Sequence, residues 1–281
     1  MTNEKYWADR QLREQEAITN KTQREINKQL SKYYADCFKQ VLDDFEAIYD
    51  KLLATAASGK QVTVADLYNL DRYWQMQAKL AKLCQELGEN EIALLSKQFE
   101  NQWNEIYKKT KLPSDIAFTE VSTKNAEHML NSCWTADGKN FSDRVWNNIQ
   151  ELIVTLNEQL VHCVVTGKTT KDLRKLLMER FSVSRSQANR LIRTETCRIQ
   201  TDSAAQRYED AGLTKYRILG REETEGCSKE CHAMDGKVFY LKDKVIGKTA
   251  PPFHPNCRCR ITPVVDDDIL SEIAKRREEK K

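Results

Sequence analysis

The sequence predicts a mainly α-helical protein: long N-terminal helices and an α-helical body, followed by a small α+β module stapled through cysteine and histidine. Three observations carry that expectation. Of 281 residues only nine are glycine and five are proline, and both disfavour helix interiors. Apolar residues recur at spacings of three and four over much of the first 212 positions, the period of a helix with one buried face. Four of the five prolines and four of the nine cysteines lie beyond residue 212, where short β-type runs replace the helical period.

Taken in order, Tyr6 to Thr55 contains neither glycine nor proline. Its stripe of Leu30, Tyr34, Phe38, Val41, Leu42, Phe45, Ile48, Tyr49, Leu52 and Leu53 predicts one amphipathic helix, continuous or broken once near Thr19–Asn20. The first third is weakly apolar, which predicts a segment that projects or pairs with another chain. "ASGKQ" ends the helix. Thr63 offers an N-cap to the next, and Gly88 a C′ stop. A third helix is expected from about Asn90 to Lys109, and these segments should pack antiparallel.

Asp137-Gly138 is a turn signal, and Ser142 can cap a helix running to about Val165, before Gly167. Thr169 or Thr170 opens the short helix of "KDLRKLLMERF". Ser184 and Gln187 match a capping box and should start a long helix to about Ala211, stopped by Gly212. Beyond it, "KYRILG", "KVFYL" and "RITPVV" read as strands, and "ILSEIAKRREEKK" as a charged helix or frayed tail. The expected divisions are a long-helix region over 1–112, a helical body over 113–212, the Cys/His module over 213–266 and the tail over 267–281. A unit of about fifty residues rarely buries enough apolar surface to stand alone and usually needs a staple.

Composition narrows the function classes. The formal charge is +3, too small to argue nucleic-acid binding from bulk charge. No apolar run approaches the roughly 18 residues that span a bilayer, so no membrane partner is expected. The charged start "MTNEKYWADRQLREQE" lacks the apolar core of a signal peptide, which predicts a cytoplasmic product. In that reducing setting nine cysteines do not imply a disulfide framework.

The cysteines divide into two kinds. Cys37, Cys84, Cys133, Cys163 and Cys197 are isolated in helical sequence and read as small buried hydrophobes. Cys227, Cys231, Cys257 and Cys259 cluster near His254, in "GCSKECHAMDGKVF" and "PPFHPNCRCRI". Structural zinc takes four tetrahedral ligands from thiolate and imidazole. Cys227 and Cys231 share a turn, while His254 and Cys257 flank a Pro-Asn turn that aims both inward. Cys259 follows at i+2, on the same side of an extended strand. Five candidates thus compete for four places on a structural Zn²⁺, with His232 a weaker sixth. A surplus of ligands argues against an open catalytic site, and no carboxylate stands out as a general base.

These motifs resemble the C-terminal signature of the phage head morphogenesis family, the Mu F-like minor head proteins. "CSKECHAMDGKVF" followed by "PPFHPNCRCRITP" carries the resemblance, with "WTADGKNFSDRVW", "SRSQANRLIRTETCRIQ" and "YEDAGL" upstream. It covers about Trp134 to Pro263, and departs from the family in the three-residue gap between Cys227 and Cys231, where two is common. The resemblance implies a minor capsid protein of a tailed bacteriophage. Such a protein would be made in the host cytoplasm and held inside the capsid of the virion. Its implied partners are the portal protein, the major capsid or scaffolding protein, and packaged DNA; no small-molecule substrate or enzymatic activity is implied. It also points to Arg193, Thr194 and Glu195, an Arg-Thr-Glu element common in the family, and to the Asp235-Gly236 pair.

Each of these has a plainer reading. Glu195 and Arg198, three apart on a helix, would form an ion pair contributing about 0.2–0.5 kcal/mol. Trp134, Phe141 and Trp146 read as core rather than a binding platform. Arg258 and Arg260, with Lys237, Lys242, Lys244 and Lys248, would be either a solvated surface or a face for DNA phosphates. The rival function is a metal-dependent nuclease or nucleic-acid-binding zinc protein. His128 and His162, the remaining histidines, sit in helical sequence without ligand-spaced partners, which argues against it. With about eighteen residues after Pro263, no room is expected for a C-terminal toxin domain.

Overall fold

The computed structural model describes residues 3–58, 63–68, 71–110, 112, 129–220 and 228–265. Within them the protein is mainly helical, with one three-stranded sheet near the C-terminus. The helices are α1 (Asn3–Ala57), α2 (Val64–Tyr68), α3 (Asp71–Lys109), α4 (Phe141–Thr166) and α5 (Thr170–Asp210). The strands β1 (Lys215–Leu219), β2 (Val238–Tyr240) and β3 (Arg260–Pro263) follow, with a short α6 (Lys229–Met234) between the first two. The order is β2-β1-β3, both pairings antiparallel, with Tyr216 opposite Phe239 on one side and Pro263 on the other. All three β-type runs therefore form one sheet, as the sequence predicts. The cysteine and histidine at 227 and 128, and the tail beyond 265, lie outside the described residues.

Helix starts and stops follow local chemistry. Thr63 and Asp66 bond reciprocally, the Asp66 amide donating to Oγ1 at 3.3 Å and the Thr63 amide to Oδ2 at 2.9 Å. Thr169 and Asp172 repeat the device ahead of α5. This reciprocal cap satisfies amides that have no partner inside the helix. Gly212 (φ +78°) ends α5, the amide of Leu213 returning to the carbonyl of Tyr208 at 3.0 Å.

Of the two alternatives for the first helix the continuous one holds, α1 running through Thr19–Asn20 without a break. Two helical expectations are corrected. Gly88 does not stop a helix, because α3 continues from Asp71 to Lys109. A Cβ there would lie 2.7 Å from the Trp146 ring, so this glycine serves close approach of an indole. Ser184 does not cap a helix but lies inside α5. Its hydroxyl donates to Asn148 Oδ1 at 3.1 Å and sits 3.2 Å from the Tyr34 hydroxyl, so buried partners in the fold satisfy it.

The chain forms two compact units that cut across the four sequence segments. One comprises Ile26–Leu94 and Ser142–Asn189. Its core includes Leu30, Phe45, Leu80, Ile149, Leu156, Leu177 and Phe181, with Phe38 and Phe181 edge to face at 5.3 Å. The other comprises Met1–Glu25, Leu95–Phe141 and Arg190–Lys281. Here Tyr216, Ile218, Leu241 and Ile261 of the sheet region share a core with Ile18, Ile106, Ala204 and Tyr208 of the helices. The 213–266 segment is therefore packed on helical residues, and it gains from them the apolar burial that a fifty-residue piece lacks.

The first third of α1 does not project. Gln11, Gln15, Thr19 and Thr22 are buried. Thr19 donates to Gln200 Oε1 at 2.9 Å, Gln200 to Gln15 Oε1 at 2.8 Å, and Gln102 to the carbonyl of Thr196 at 2.9 Å. Amide side chains that both donate and accept can be buried when they find each other, so this seam carries no apolar stripe.

Candidate metal centre

Cys231 lies on α6, whose first turn is capped by Ser228: the Cys231 amide donates to Ser228 Oγ at 3.3 Å. The other end of α6 is tied to β1 through Asp235-Gly236. Asp235 Oδ1 accepts the Gly220 amide at 2.6 Å, and the Gly236 amide (φ +73°) donates to the carbonyl of Ile218 at 2.9 Å. A Cβ on Gly220 would sit 3.0 Å from that of Asp235, so the approach needs glycine there too. The Asp-Gly pair thus positions the helix that carries Cys231.

The other ligand turn is clamped from α5. Asn256 takes a left-handed conformation (φ +63°), and its amide donates to Thr194 Oγ1 at 3.1 Å. The Cys257 amide returns to the carbonyl of His254 at 3.1 Å. Together these hold the sulfurs of Cys231, Cys257 and Cys259 within 4.8 Å of one another, all three buried. Cys231 and Cys257 are 3.7 Å apart. His254 Nε2 lies 2.9 Å from the Cys231 sulfur, and its Nδ1 lies 2.7 Å from the Pro255 carbonyl. A carbonyl only accepts, so in the neutral ring Nδ1 carries the proton and Nε2 presents its lone pair to the cluster. This buried group can hold a metal ion.

The thiols show why a cation suits the site. Hydrogen bonds from Cys197 and Cys259 hold the Cys257 thiol far below its usual range. Cys259 and Cys197 are pushed up by the same contacts with Cys257 and by burial. Burial raises Cys231 to about 11, against the Ser228 hydrogen bond. One sulfur can be anionic while its neighbours keep their protons; several thiolates together require a positive ion between them.

Of the sequence candidates, the fold brings Cys231, His254, Cys257 and Cys259 together, while Cys227 lies outside the described residues. His232 is exposed on α6. Two of the isolated cysteines depart from the buried-hydrophobe reading. Cys133 is exposed. Cys197 on α5 lies against the cluster, its sulfur 3.4 Å from the Cys259 carbonyl; helical periodicity could show that it is buried, but not against what.

The Arg-Thr-Glu element divides its work. Arg193 is exposed, Thr194 clamps the ligand turn, and Glu195 is buried in a polar network. Glu195 Oε2 meets Arg198 Nε at 2.8 Å with both side chains 1% exposed. Trp134 Nε1 donates to Glu195 Oε1 at 3.0 Å, and Arg198 Nη1 to Ser132 Oγ at 3.0 Å. The small magnitude of a solvent-exposed helical pair therefore does not apply. Phe141 is core, edge to face with Phe99.

The expected basic face is also rearranged. Lys244 pairs with Asp202 at 2.6 Å, and Lys242 sits over the Tyr240 ring. Arg258 is exposed but Arg260 is buried, so Arg260 is not part of a solvated surface. Both line a cleft beside Cys257 and Cys197.

Residues 154–262 match the family model described as phage Mu protein F like protein. That stretch of the chain is similar to the Mu F-like family. The matched stretch runs from α4 into β3 and contains every residue of the cluster, together with Arg193, Thr194, Glu195, Asp235 and Gly236. The match supports a phage head-related protein. No curated protein and no solved structure matches the chain. Among the described residues no helix is long and apolar enough to cross a membrane.

Proposed function

We propose that this Mu F-like protein is a minor head protein of a tailed bacteriophage. It sits inside the capsid at the portal vertex, acts in head assembly, and uses structural zinc to brace its C-terminal lobe. The carrying observation is the buried cluster of Cys231, Cys257 and Cys259 with His254 at its edge, inside the Mu F-like stretch. Three thiolates and an imidazole are the soft and borderline donors that zinc takes. Zn–S bonds of about 2.3 Å in a tetrahedron place sulfurs about 3.8 Å apart, and Cys231 and Cys257 are 3.7 Å apart. His254 is the imidazole at hand for the fourth place, its Nε2 2.9 Å from the Cys231 sulfur and its Nδ1 held by the Pro255 carbonyl in the way ligating histidines are oriented. It lies outside the three-sulfur group and would close in on Cys257 and Cys259 when the ion binds. When bound, the ion would neutralise the thiolates and join α6 to the Cys257–Cys259 turn.

A structural rather than enzymatic role is supported by the burial of all three sulfurs, which favours a closed site. The test is co-expression with the portal protein of the same phage, followed by affinity capture and by asymmetric reconstruction of intact heads. Copurification in fixed stoichiometry, with density at the portal vertex, is the expected result. Absence from purified heads, or metal-stimulated DNA cleavage that is lost in His254→Ala while the fold persists, would reverse the reading.

A further inference from the structure

A cleft of about 270 Å³ lies beside the cysteine cluster. Its walls carry three guanidiniums: Arg193 from α5, Arg258 from between the two cysteines and Arg260 from the start of β3. Among the described residues Glu16 of α1 is the acidic one in the lining, so three arginines less one glutamate leave a formal balance of +2 over those residues. Arg193 and Arg258 are exposed, and neither guanidinium makes a hydrogen bond or ion pair with the described residues. Arg260 is 8% exposed, yet its Nη1 reaches the Cys259 carbonyl only at 3.4 Å. A guanidinium carries five N–H donors, so beside this long contact and the charges of Glu16 and the cysteines Arg260 keeps donor capacity for a ligand in the cleft. Asn20 and Asn256 add neutral polar groups to the rim.

We propose that this cleft binds a phosphate group, carried by nucleic acid or free in solution. The planar fork of arginine matches an oxyanion. A carboxylate is flat and saturated by one fork, whereas a phosphate places its oxygens tetrahedrally, two unesterified ones in a nucleic-acid diester and more in free phosphate, toward groups arriving from a helix, a turn and a strand. A diester carries −1 and free phosphate more, and the net positive charge of the described lining attracts either. The volume falls below the roughly 300–1,000 Å³ of sites that enclose drug-sized ligands. Among the described residues no aromatic ring lines the cleft, so they offer a base no stacking platform, which favours recognition independent of sequence. The site is argued from its own geometry and does not depend on the portal assignment; failure of one leaves the other standing.

The test uses the full chain and the double variant Arg193→Gln/Arg258→Gln, both positions exposed, with circular dichroism and metal content confirming that the fold persists. Binding of a fluorescein-labelled 20-nucleotide single strand is followed by anisotropy from 50 to 200 mM NaCl, and inorganic phosphate by ³¹P line broadening. The expected result is at least a tenfold loss of oligonucleotide affinity in the variant. The slope of log K against log salt should become shallower by about 0.7, the value for one phosphate contact on a single strand. Phosphate broadening lost in the variant while the oligonucleotide does not bind supports the site with free phosphate as its occupant. Equal binding of both probes by wild type and variant, or of neither by wild type, overturns the proposal.

Discussion

Glu91 makes the stability of its unit depend on pH in a direction opposite to ordinary acid unfolding. The carboxyl is fully buried on α3. Burial raises its pKa from 4.5 to about 7, although the Tyr34 hydroxyl hydrogen bond and the Arg185 charge act to lower it. Tyr34 donates to Oε2 at 3.3 Å and also meets Ser184 and Asn148 at 3.2 Å, while the Arg185 guanidinium lies 5.7 Å from the Tyr34 ring centre. A raised folded pKa means the fold binds the proton more tightly than the unfolded chain does. The stabilisation is complete below pH 4.5 and is lost as pH rises through 7. The shift from 4.5 to about 7, at 1.36 kcal/mol per unit, amounts to about 3 kcal/mol. Glu91→Gln keeps the shape and removes the titration. Urea unfolding followed by circular dichroism should find the variant near parity with wild type at pH 4.5 and more stable by up to about 3 kcal/mol at pH 8. Parallel stability curves for the two proteins from pH 5 to 8 would refute the reasoning.

Three further outcomes follow from the contacts. One equivalent of zinc should copurify and fall well below one in Cys257→Ser; chelation should raise amide exchange across β1–β3 and residues 190–210 while sparing 142–189, as read by mass spectrometry. Gly88→Ala normally stabilises a helix by about 0.5–1 kcal/mol, but here the methyl meets the Trp146 ring. Net destabilisation of about 1–3 kcal/mol is expected, and a rise in Tm would contradict the close approach. Glu195→Ala leaves Arg198 buried without its carboxylate and should cost about 3–5 kcal/mol, against a few tenths if the pair were solvent-exposed; thermal unfolding separates the two.

Much of the fold was legible because local rules decide it. Thr63, Thr169, Gly167 and Gly212 mark helix ends whose amides or carbonyls can be satisfied within a few residues. The short β-type runs at 215–219, 238–240 and 260–263 became strands. Gly88 and Ser184 misled for one reason: each is a local stop or start signal overridden by a distant partner, Trp146 in one case and Asn148 with Tyr34 in the other.

The sequence by itself determined the helical class, the β-type C-terminal runs and the candidates Cys231, Cys257 and Cys259 that the fold clusters, since periodicity, caps and cysteine spacing act over a few residues. Only tertiary structure decided that Cys197 lies against the cluster, that Thr194 clamps the Asn256 turn, that glutamines bury the start of α1, and that Arg193 joins Arg258 and Arg260 in one cleft. Those pairings join residues as much as 185 positions apart. They depend on which helix faces pack together, and no spacing along the chain encodes that.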